Sequence, residues 1–356
     1  MVDPAWAQPR RTAGGILAQS EQIGCDAVEA PVLPSRVERQ NVKLIVRSGR
    51  PFERDATTGE EHLLERPQDT SRLHGASHDA LRSLEDLRRR PPVPTADEWL
   101  ASGACDLMRD VIETLGQRYA IIAHLGSPMW GVFSSIGFER GMMAIHGEPE
   151  LLRAFRDRML HRQLERLDAF ARVGIDVVWL EECFTSSDLV SPPQYCEWAL
   201  PANCRIIEHA HRLGLRVIHY FCGDARQRLA MLAEANPDAI ALEESKKGFE
   251  HGLDWVASQL PSNTCLLGNL DAVSHLQDGT SAQLSEEVHR QAASGRSHGR
   301  FILSLGSPVT PSTPIQRVRE FTDIAHSITL SRRHSPKGNP PVSILEHRQA
   351  ENLGGL

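Results

Sequence analysis

The chain has 356 residues, of which 40% are hydrophobic and 24% are charged, and its formal net charge is −7. Its apolar runs are too short to span a bilayer, and the negative charge argues against nucleic acid as a partner. Seven cysteines without a Cys-x-x-Cys spacing give no disulfide framework, and the first ten residues lack the apolar segment of a secretory signal. We expect a globular cytoplasmic protein with one large core and no membrane contact.

The first hundred residues show no regular order of helices and strands. Residues 24–30 and 41–46 are each compatible with a strand, whereas residues 50–100 are rich in charge and proline, which predicts a long insertion with short helices. We assign residues 1–100 to an irregular N-terminal region that is part of the same fold as the rest. At the other end, the polar, proline-containing residues 331–356 predict a disordered tail.

Strand and helix patterns alternate in the remaining part, residues 101–330. Apolar strand patterns begin near residues 119, 176, 216, 239, 264 and 300. Helical patterns lie between them or after them, at residues 149–173, 192–213, 226–235, 281–293 and 314–329. This alternation requires a parallel sheet with right-handed crossovers. The convincing strands number one fewer than eight, so the first strand or strands of the sheet are predicted to be divergent or incomplete.

Several of these strands end in polar or reactive side chains. The strand that begins at Arg216 contains His219 and leads into Cys222, and the strand that begins at Ala239 leads into Glu243 and Glu244. Active sites of (β/α)8 barrels are built at the C-terminal ends of the strands. The sequence therefore predicts an α/β protein of the (β/α)8, or TIM barrel, class with its active site at this edge.

Other strand ends supply further candidates for the site. Glu181 and Glu182 either act as general acid or base, or bind substrate, or cap the next helix. His124, at the end of the strand near residue 119, is a candidate of the same kind. Asn269 and Asp271 either bind substrate or stabilise their own loop through local hydrogen bonds. The six cysteines other than Cys222 carry no motif and are assigned to packing.

Six short motifs, taken together in order and spacing, resemble the uroporphyrinogen decarboxylase superfamily. They are Gly174-Ile-Asp-Val-Val-Trp, Ser191-Pro-Pro, His219-Tyr-Phe-Cys-Gly, Gly268-Asn-Leu-Asp271, Leu305-Gly-Ser-Pro and Pro311-Ser-Thr-Pro314. The resemblance covers roughly residues 118–329 and implies a (β/α)8 barrel. The superfamily contains the decarboxylase of tetrapyrrole synthesis and zinc methyltransferases that act on corrinoids and thiols.

The decarboxylase branch matches poorly in the residues that hold its substrate. Decarboxylases have an early strand Arg-Gln-Ala-Gly-Arg, whose arginines bind the many carboxylates of the porphyrinogen. Here the nearest string is Arg47-Ser-Gly-Arg50, which follows the wrong strand. Decarboxylases also have a Gly-His pair near the last strand, where this chain has Gly306-Ser307. A porphyrinogen decarboxylase is therefore the less favoured alternative, alongside the decarboxylase of a smaller carboxylate and a barrel that only binds a ligand.

The methyltransferase branch implies a zinc site. The resemblance assigns His219, Cys222 and Glu243 as metal ligands and puts Ser307, a candidate catalytic residue, where those enzymes have a second cysteine. Glu244, which follows Glu243 at the strand end, is a candidate for substrate binding. His219 and Cys222 are three residues apart, and on a regular strand residues i and i+3 face opposite sides. They meet only if the chain bulges near Phe221; if instead Tyr220 lies beside Cys222, zinc at these ligands is disfavoured.

The favoured hypothesis is a zinc-dependent methyltransferase that moves a methyl group to a thiol or a corrinoid acceptor. Its partners would be a small-molecule substrate and a corrinoid, either free or carried by a protein. Because a barrel that lacks a strand has an unpaired edge, we also expect a homodimer.

Overall fold

The computed structural model describes residues 9–64, 83–246 and 248–328. The strands, in chain order, are β1 (Ala27–Glu29), β2 (Val42–Arg47), β3 (Arg50–Asp55), β4 (Glu61–Leu63), β5 (Ala120–Gly126), β6 (Val177–Glu182), β7 (Arg216–Phe221), β8 (Ala239–Leu242), β9 (Cys265–Leu267) and β10 (Phe301–Ile302). The α-helices are α1 (Pro9–Ile23), α2 (Arg36–Gln40), α3 (Leu84–Arg89), α4 (Ala96–Ser102), α5 (Asp106–Leu115), α6 (Pro128–Ile136), α7 (Phe138–Gly147), α8 (Pro149–Val173), α9 (Pro192–Trp198), α10 (Leu200–Arg212), α11 (Leu229–Glu234), α12 (Leu253–Gln259), α13 (Ser281–His298) and α14 (Ile315–Ser327). A π-helix, Ala272–Gln277, follows β9.

Seven strands form one curled parallel sheet in the order β1-β5-β6-β7-β8-β9-β10. Every neighbouring pair in this sheet is parallel, so the C-terminal ends of the strands share one edge. Helices connect the strands, as a parallel sheet requires. This confirms the predicted TIM-barrel class. It also confirms the short strand count, because the part of the chain that is described supplies seven barrel strands.

The predicted strand at residues 41–46 lies outside the barrel. It corresponds to β2, which pairs with β3 in a separate antiparallel sheet that β4 completes. Ser48 (φ 50°) and Gly49 (φ 77°) both have positive φ and join β2 to β3 by a two-residue turn. The string Arg47-Ser-Gly-Arg50 is therefore a hairpin and no counterpart of an arginine-bearing barrel strand.

Helix boundaries follow the predictions where capping signals are strong. Helix α8 begins at Pro149 and ends at Val173, as predicted, and Gly174 adopts the left-handed conformation that ends it. The predicted helix at residues 192–213 is instead two helices, α9 and α10, separated at Ala199. Pro201 explains the break, because proline is accepted in the first turn of a helix but disrupts its interior.

Side chains of the central strands alternate between the inside of the barrel and the surrounding helices. Ile218 and Tyr220 of β7 belong to a cluster inside the barrel, whereas Val217 and Phe221 pack in the layer between the sheet and the helices. Strand residues two apart share a face. This alternation places His219 on the helix side and continues on the inside to Cys222, which packs against the interior cluster.

The two ends of the seven-stranded sheet are brought together by helices. The Thr322 hydroxyl of α14 donates to the carbonyl oxygen of Ile23, and Arg319 Nη1 donates to that of Glu21 at 3.1 Å. Helices α14 and α1 thus close the gap between β10 and β1 on the outside of the barrel. Among the described helices we find none that combines the length and the apolar character needed to cross a membrane. The predicted tail at residues 331–356 lies outside the described residues.

Candidate active site at the barrel mouth

Two cysteines lie side by side where β6 and β7 end. Glu182 and Phe221 are the last paired positions of these strands, and Cys183 and Cys222 follow them directly. The Cys222 amide donates to the carbonyl oxygen of Glu182 at 2.9 Å, which continues the ladder by one step. The two sulfur atoms are 2.9 Å apart. The adjacent strand ends therefore present a pair of thiols at the C-terminal edge of the sheet.

A carboxylate and a histidine adjoin the thiols. Glu181 lies on the same face of β6 as Cys183, and its Oε1 atom is 3.4 Å from the Cys183 sulfur. Its other oxygen, Oε2, lies 2.5 Å from His124 Nε2 at the end of β5. Burial tends to raise the pKa of Glu181, but the hydrogen bond and charge of His124 outweigh burial and lower it. Glu181 is therefore ionised and paired with His124.

Both thiols are held in the neutral form by their surroundings. The hydrogen bond between Cys183 and Cys222, together with burial, raises the pKa of Cys183 far above its ordinary value. The same hydrogen bond favours the Cys222 thiolate, but burial and the charges of Glu181 and Glu243 prevail and raise the pKa of Cys222. A cation at this position would reverse both effects, because it stabilises thiolates.

Left-handed residues end both cysteine-bearing segments. Phe184 has φ 67° and Gly223 has φ 89°. The conformation is costly for phenylalanine, and its ring is held by contacts with Phe133 and Phe138, whose ring centroids lie at 5.8 and 5.3 Å. At Gly223 a Cβ atom would lie 2.6 Å from that of Ser186, so only glycine fits. These turns fix the direction in which the thiols leave the strands.

A second polar group lies across the mouth at the end of β8. Lys246 Nζ is 2.8 Å from Glu243 Oε1 and 3.1 Å from Glu244 Oε1. Ser307 donates to Glu244 Oε2 at 2.7 Å and accepts from Lys246 at 2.9 Å. Glu243 also accepts from the Gly223 amide at 2.8 Å, which ties this group to the turn after Cys222. Burial works against the Lys246 ammonium, but both carboxylates raise its pKa, so it is charged.

His219 and Glu182 lie on the helix side of the sheet and not in the mouth. Both side chains are fully buried, and His219 Nε2 is 2.9 Å from Glu182 Oε2. The Glu182 carboxylate also accepts from Tyr195, Asn203 and Thr185 at 2.8 to 3.0 Å. This group joins β6 and β7 to the helix layer, out of reach of a substrate in the mouth.

The geometry does not support the metal ligand set His219, Cys222 and Glu243. Strand β7 pairs regularly with β6 up to Phe221, so no bulge turns the His219 side chain towards the inside of the barrel. Tyr220, and not His219, lies on the inside next to Cys222. The Tyr220 hydroxyl instead donates to the Gly306 carbonyl oxygen at 2.8 Å, across the mouth.

Asn269 and Asp271 make local hydrogen bonds, one of the two roles that the sequence allows, and their contact with a substrate stays a prediction. Asn269 Nδ2 donates to the His251 carbonyl oxygen at 2.8 Å. Asp271 accepts from the amides of Val273 and Ser274 and so caps the π-helix.

Cys183 and Lys246 are absent from the site residues that the sequence predicts. The sequence assigns Cys183 to packing, although the alternation Trp179, Glu181, Cys183 on one strand and Tyr220, Cys222 on the next is visible in it. Residues at equivalent positions of neighbouring parallel strands meet, so counting in twos from both strand ends would find the pair. Lys246 has no such signal, because its partner Ser307 comes from a loop 61 residues away.

The sequence model of the family described as Uroporphyrinogen decarboxylase (URO-D) matches residues 75–328. A uroporphyrinogen decarboxylase of Pelobacter propionicus is 25% identical over 238 residues. The alignment covers 64% of this chain and 65% of the relative, so the chain spans slightly less than two thirds of the relative's length. A uroporphyrinogen decarboxylase of Coxiella burnetii is 24% identical over an alignment that covers 74% of this chain and 71% of the relative.

Similar proteins also include methyltransferases. A methylated-thiol–coenzyme M methyltransferase of Methanosarcina mazei is 24% identical over 66% of this chain and 62% of the relative. The solved structure of a methyltransferase from the same organism superposes with a TM-score of 0.66 at 17% identity, covering 91% of this chain and 87% of that one, and shares the fold. Since the family model spans most of the sequence, the chain belongs to the uroporphyrinogen decarboxylase (URO-D) family.

Proposed function

We propose that the protein is a methyltransferase that moves a methyl group to a thiol or a corrinoid acceptor. The observation that carries this proposal is the thiol pair of Cys183 and Cys222, with the Glu181 carboxylate beside it, at the edge where barrels of this class bind substrate. The name of the methylated-thiol methyltransferase among the relatives supports thiol chemistry for the same fold. The protein would act in the cytoplasm on a small thiol, with a corrinoid, free or protein-bound, as the second partner.

The charge of the mouth favours methyl transfer over porphyrinogen decarboxylation. The strand ends carry the carboxylates of Glu181, Glu243 and Glu244; Glu181 is paired with His124, and Lys246 is shared by the other two carboxylates. A substrate with many carboxylates needs free cations to bind it. The mouth would instead repel such a substrate, whereas a thiol or a methylated thiol brings no opposing charge.

The residues of the mouth suit zinc as the cofactor that the methyltransferase resemblance implies. Thiolates and carboxylates are zinc ligands, and the donor atoms of Glu181, Cys183 and Cys222 lie within 4.8 Å of one another. Bound zinc would lower the pKa of a substrate thiol. His124 holds Glu181 in place, and Tyr220 braces the mouth through its bond to the Gly306 carbonyl oxygen.

The transfer balances without a further reactant. The sulfur of the substrate thiolate donates an electron pair to the methyl carbon and forms a C–S bond. The bond between that carbon and its carrier breaks, and the carrier keeps its electron pair. The thiol proton leaves to solvent, which reaches the mouth because the side chains of Glu181 and His124 are 26% and 33% exposed. A corrinoid acceptor would undergo the same exchange in the opposite sense.

The first prediction tests this proposal against decarboxylation. Zinc-loaded protein, incubated anaerobically with methylcobalamin and a small thiol such as 2-mercaptoethanol, should form the methyl thioether at a rate well above the uncatalysed one, measured by mass spectrometry. Cys222→Ser should abolish the product, and Cys265→Ser, a matched cysteine inside the barrel, should not. Conversion of uroporphyrinogen to coproporphyrinogen at about 1 per second or more, without methyl transfer, would overturn the proposal.

A further inference from the structure

We infer that Glu181, Cys183 and Cys222 form a three-ligand site for a zinc-type divalent metal, and that His219, the histidine assigned from the sequence, is not a ligand. The inference rests on the proposed function for its purpose, since the metal would serve methyl transfer to a thiol. In the described parts of the chain, these three residues are the one set of His, Cys, Asp and Glu whose ligand atoms all lie within 4.8 Å of one another.

The sulfur separation alone fits two outcomes equally. Two thiolates on a tetrahedral zinc, each about 2.3 Å from the metal, are about 3.8 Å apart, whereas a disulfide needs about 2.0 Å. The observed 2.9 Å between the sulfur atoms of Cys183 and Cys222 lies midway between these two distances. Small side-chain rotations would bring the sulfurs either apart to bind zinc or together to form a disulfide. The choice between a metal site and a disulfide therefore depends on what surrounds the two sulfurs.

The third donor favours the metal. Glu181 directs one oxygen to the Cys183 sulfur at 3.4 Å, and a disulfide would have no use for it. The other oxygen is held by His124 at 2.5 Å, and the His124 ring is itself held edge-on against Trp130, with the ring centroids 5.8 Å apart. A ligating carboxylate is commonly fixed by an outer hydrogen bond of this kind.

The charge balance also favours the metal. A divalent cation that displaces the protons of Cys183 and Cys222 releases two protons and leaves three negative ligands around two positive charges, a net charge of −1. Two sulfurs and one oxygen suit zinc rather than magnesium or calcium.

The second prediction is that metal binding depends on these three residues. Chelator-treated, reduced protein should bind one Zn²⁺ per chain in calorimetric titration, and one Co²⁺ with the intense near-ultraviolet absorption of thiolate-to-cobalt charge transfer. Cys183→Ser and Cys222→Ser should each abolish that absorption and weaken zinc binding by about 100-fold or more, and Glu181→Gln by about 10-fold or more. Cys265→Ser and His219→Asn should bind both metals like the wild type.

Three results would overturn the inference. One is a wild type that binds neither metal, another is a Cys183→Ser variant that binds zinc normally, and the third is a Cys183–Cys222 disulfide that persists while zinc is offered under mild reduction. Failure of the proposed function looks different, because the metal would bind as described and no methyl transfer would follow. If the Cys183→Ser variant still binds zinc and still transfers methyl groups, the proposed ligand set is wrong, whereas the proposed methyltransferase function stands.

Discussion

At the scale of single residues, His219 and Glu182 illustrate how a buried polar group serves the fold. Both are fully buried, and Glu182 accepts hydrogen bonds from four side chains, those of Thr185, Tyr195, Asn203 and His219. Removing one partner of a buried charged group leaves the other without compensation and is strongly destabilising. The group therefore anchors the end of β6 to the helix layer and contributes to the stability of the fold.

The third prediction separates this structural role from metal binding. His219→Ala should lower the free energy of unfolding by about 3 kcal/mol, because it opens a cavity and leaves Glu182 short of a donor. Cobalt binding by the folded variant should be unchanged. Urea unfolding and the cobalt spectrum measure the two effects, with His161→Ala, whose side chain is 60% exposed, as control. Normal stability combined with lost metal would restore His219 as a ligand.

The sequence predicts that reactive residues lie at strand ends, but not which face each one takes. The apolar runs before Glu181 and Cys222 are clear, so the strand ends can be located. The face depends on whether the chain bulges, and a bulge is set by contacts with other parts of the chain. His219 illustrates the limit, because its spacing from Cys222 allows either face and the regular pairing with Leu180 decides between them.

At the scale of elements, the turn after β7 links the thiol pair to the second polar group of the mouth. Gly223 follows Cys222 directly, has φ 89°, and donates its amide hydrogen to Glu243 at 2.8 Å. A side chain at this position would meet Ser186 at 2.6 Å, in the loop that follows Cys183. The glycine therefore controls the distance between the two segments that carry the cysteines.

The fourth prediction compares two glycines that both have positive φ. Gly223→Ala should lower the free energy of unfolding by about 2 to 3 kcal/mol, from strain and the clash with Ser186, and should also weaken metal binding. Gly214 has φ 78° and nothing within 4 Å of an added Cβ, so Gly214→Ala should cost about 1 kcal/mol and leave the metal unaffected. Urea unfolding and cobalt titration measure both quantities. Equal effects of the two changes on metal affinity would contradict this role of the turn.

Elements with strong local signals are predictable to the residue, and those that depend on distant contacts are not. Helix α8 has proline at its start and a left-handed glycine at its end, so its limits are evident from the sequence. The strand at residues 41–46 has the same apolar character as a barrel strand, yet it pairs in a separate antiparallel sheet. Strand patterns show that a segment is extended, whereas the choice of partner is made by the whole fold.

At the scale of the whole molecule, the barrel has two strand edges that pair on one side only. Within the described residues β1 pairs with β5 alone and β10 with β9 alone. Helices α1 and α14 bridge the gap through Thr322 and Arg319, but they leave Ile302 of β10 50% exposed. An exposed apolar residue on an unpaired edge favours association with another strand.

The last prediction is that this edge supports a homodimer. At micromolar concentration the wild type should sediment as a dimer, and Ile302→Lys should weaken the dimer by about 10-fold or more, because a lysine on an edge strand opposes pairing with another chain. Val46→Lys is a matched control: Val46 is 66% exposed but lies on β2 of the separate sheet, so dimerisation should be unchanged. Metal binding should be the same in both variants, since neither residue belongs to the mouth. A wild type that stays monomeric, or a dimer that both lysines weaken equally, would show that the open edge is not the contact and that α1 and α14 are enough to protect it.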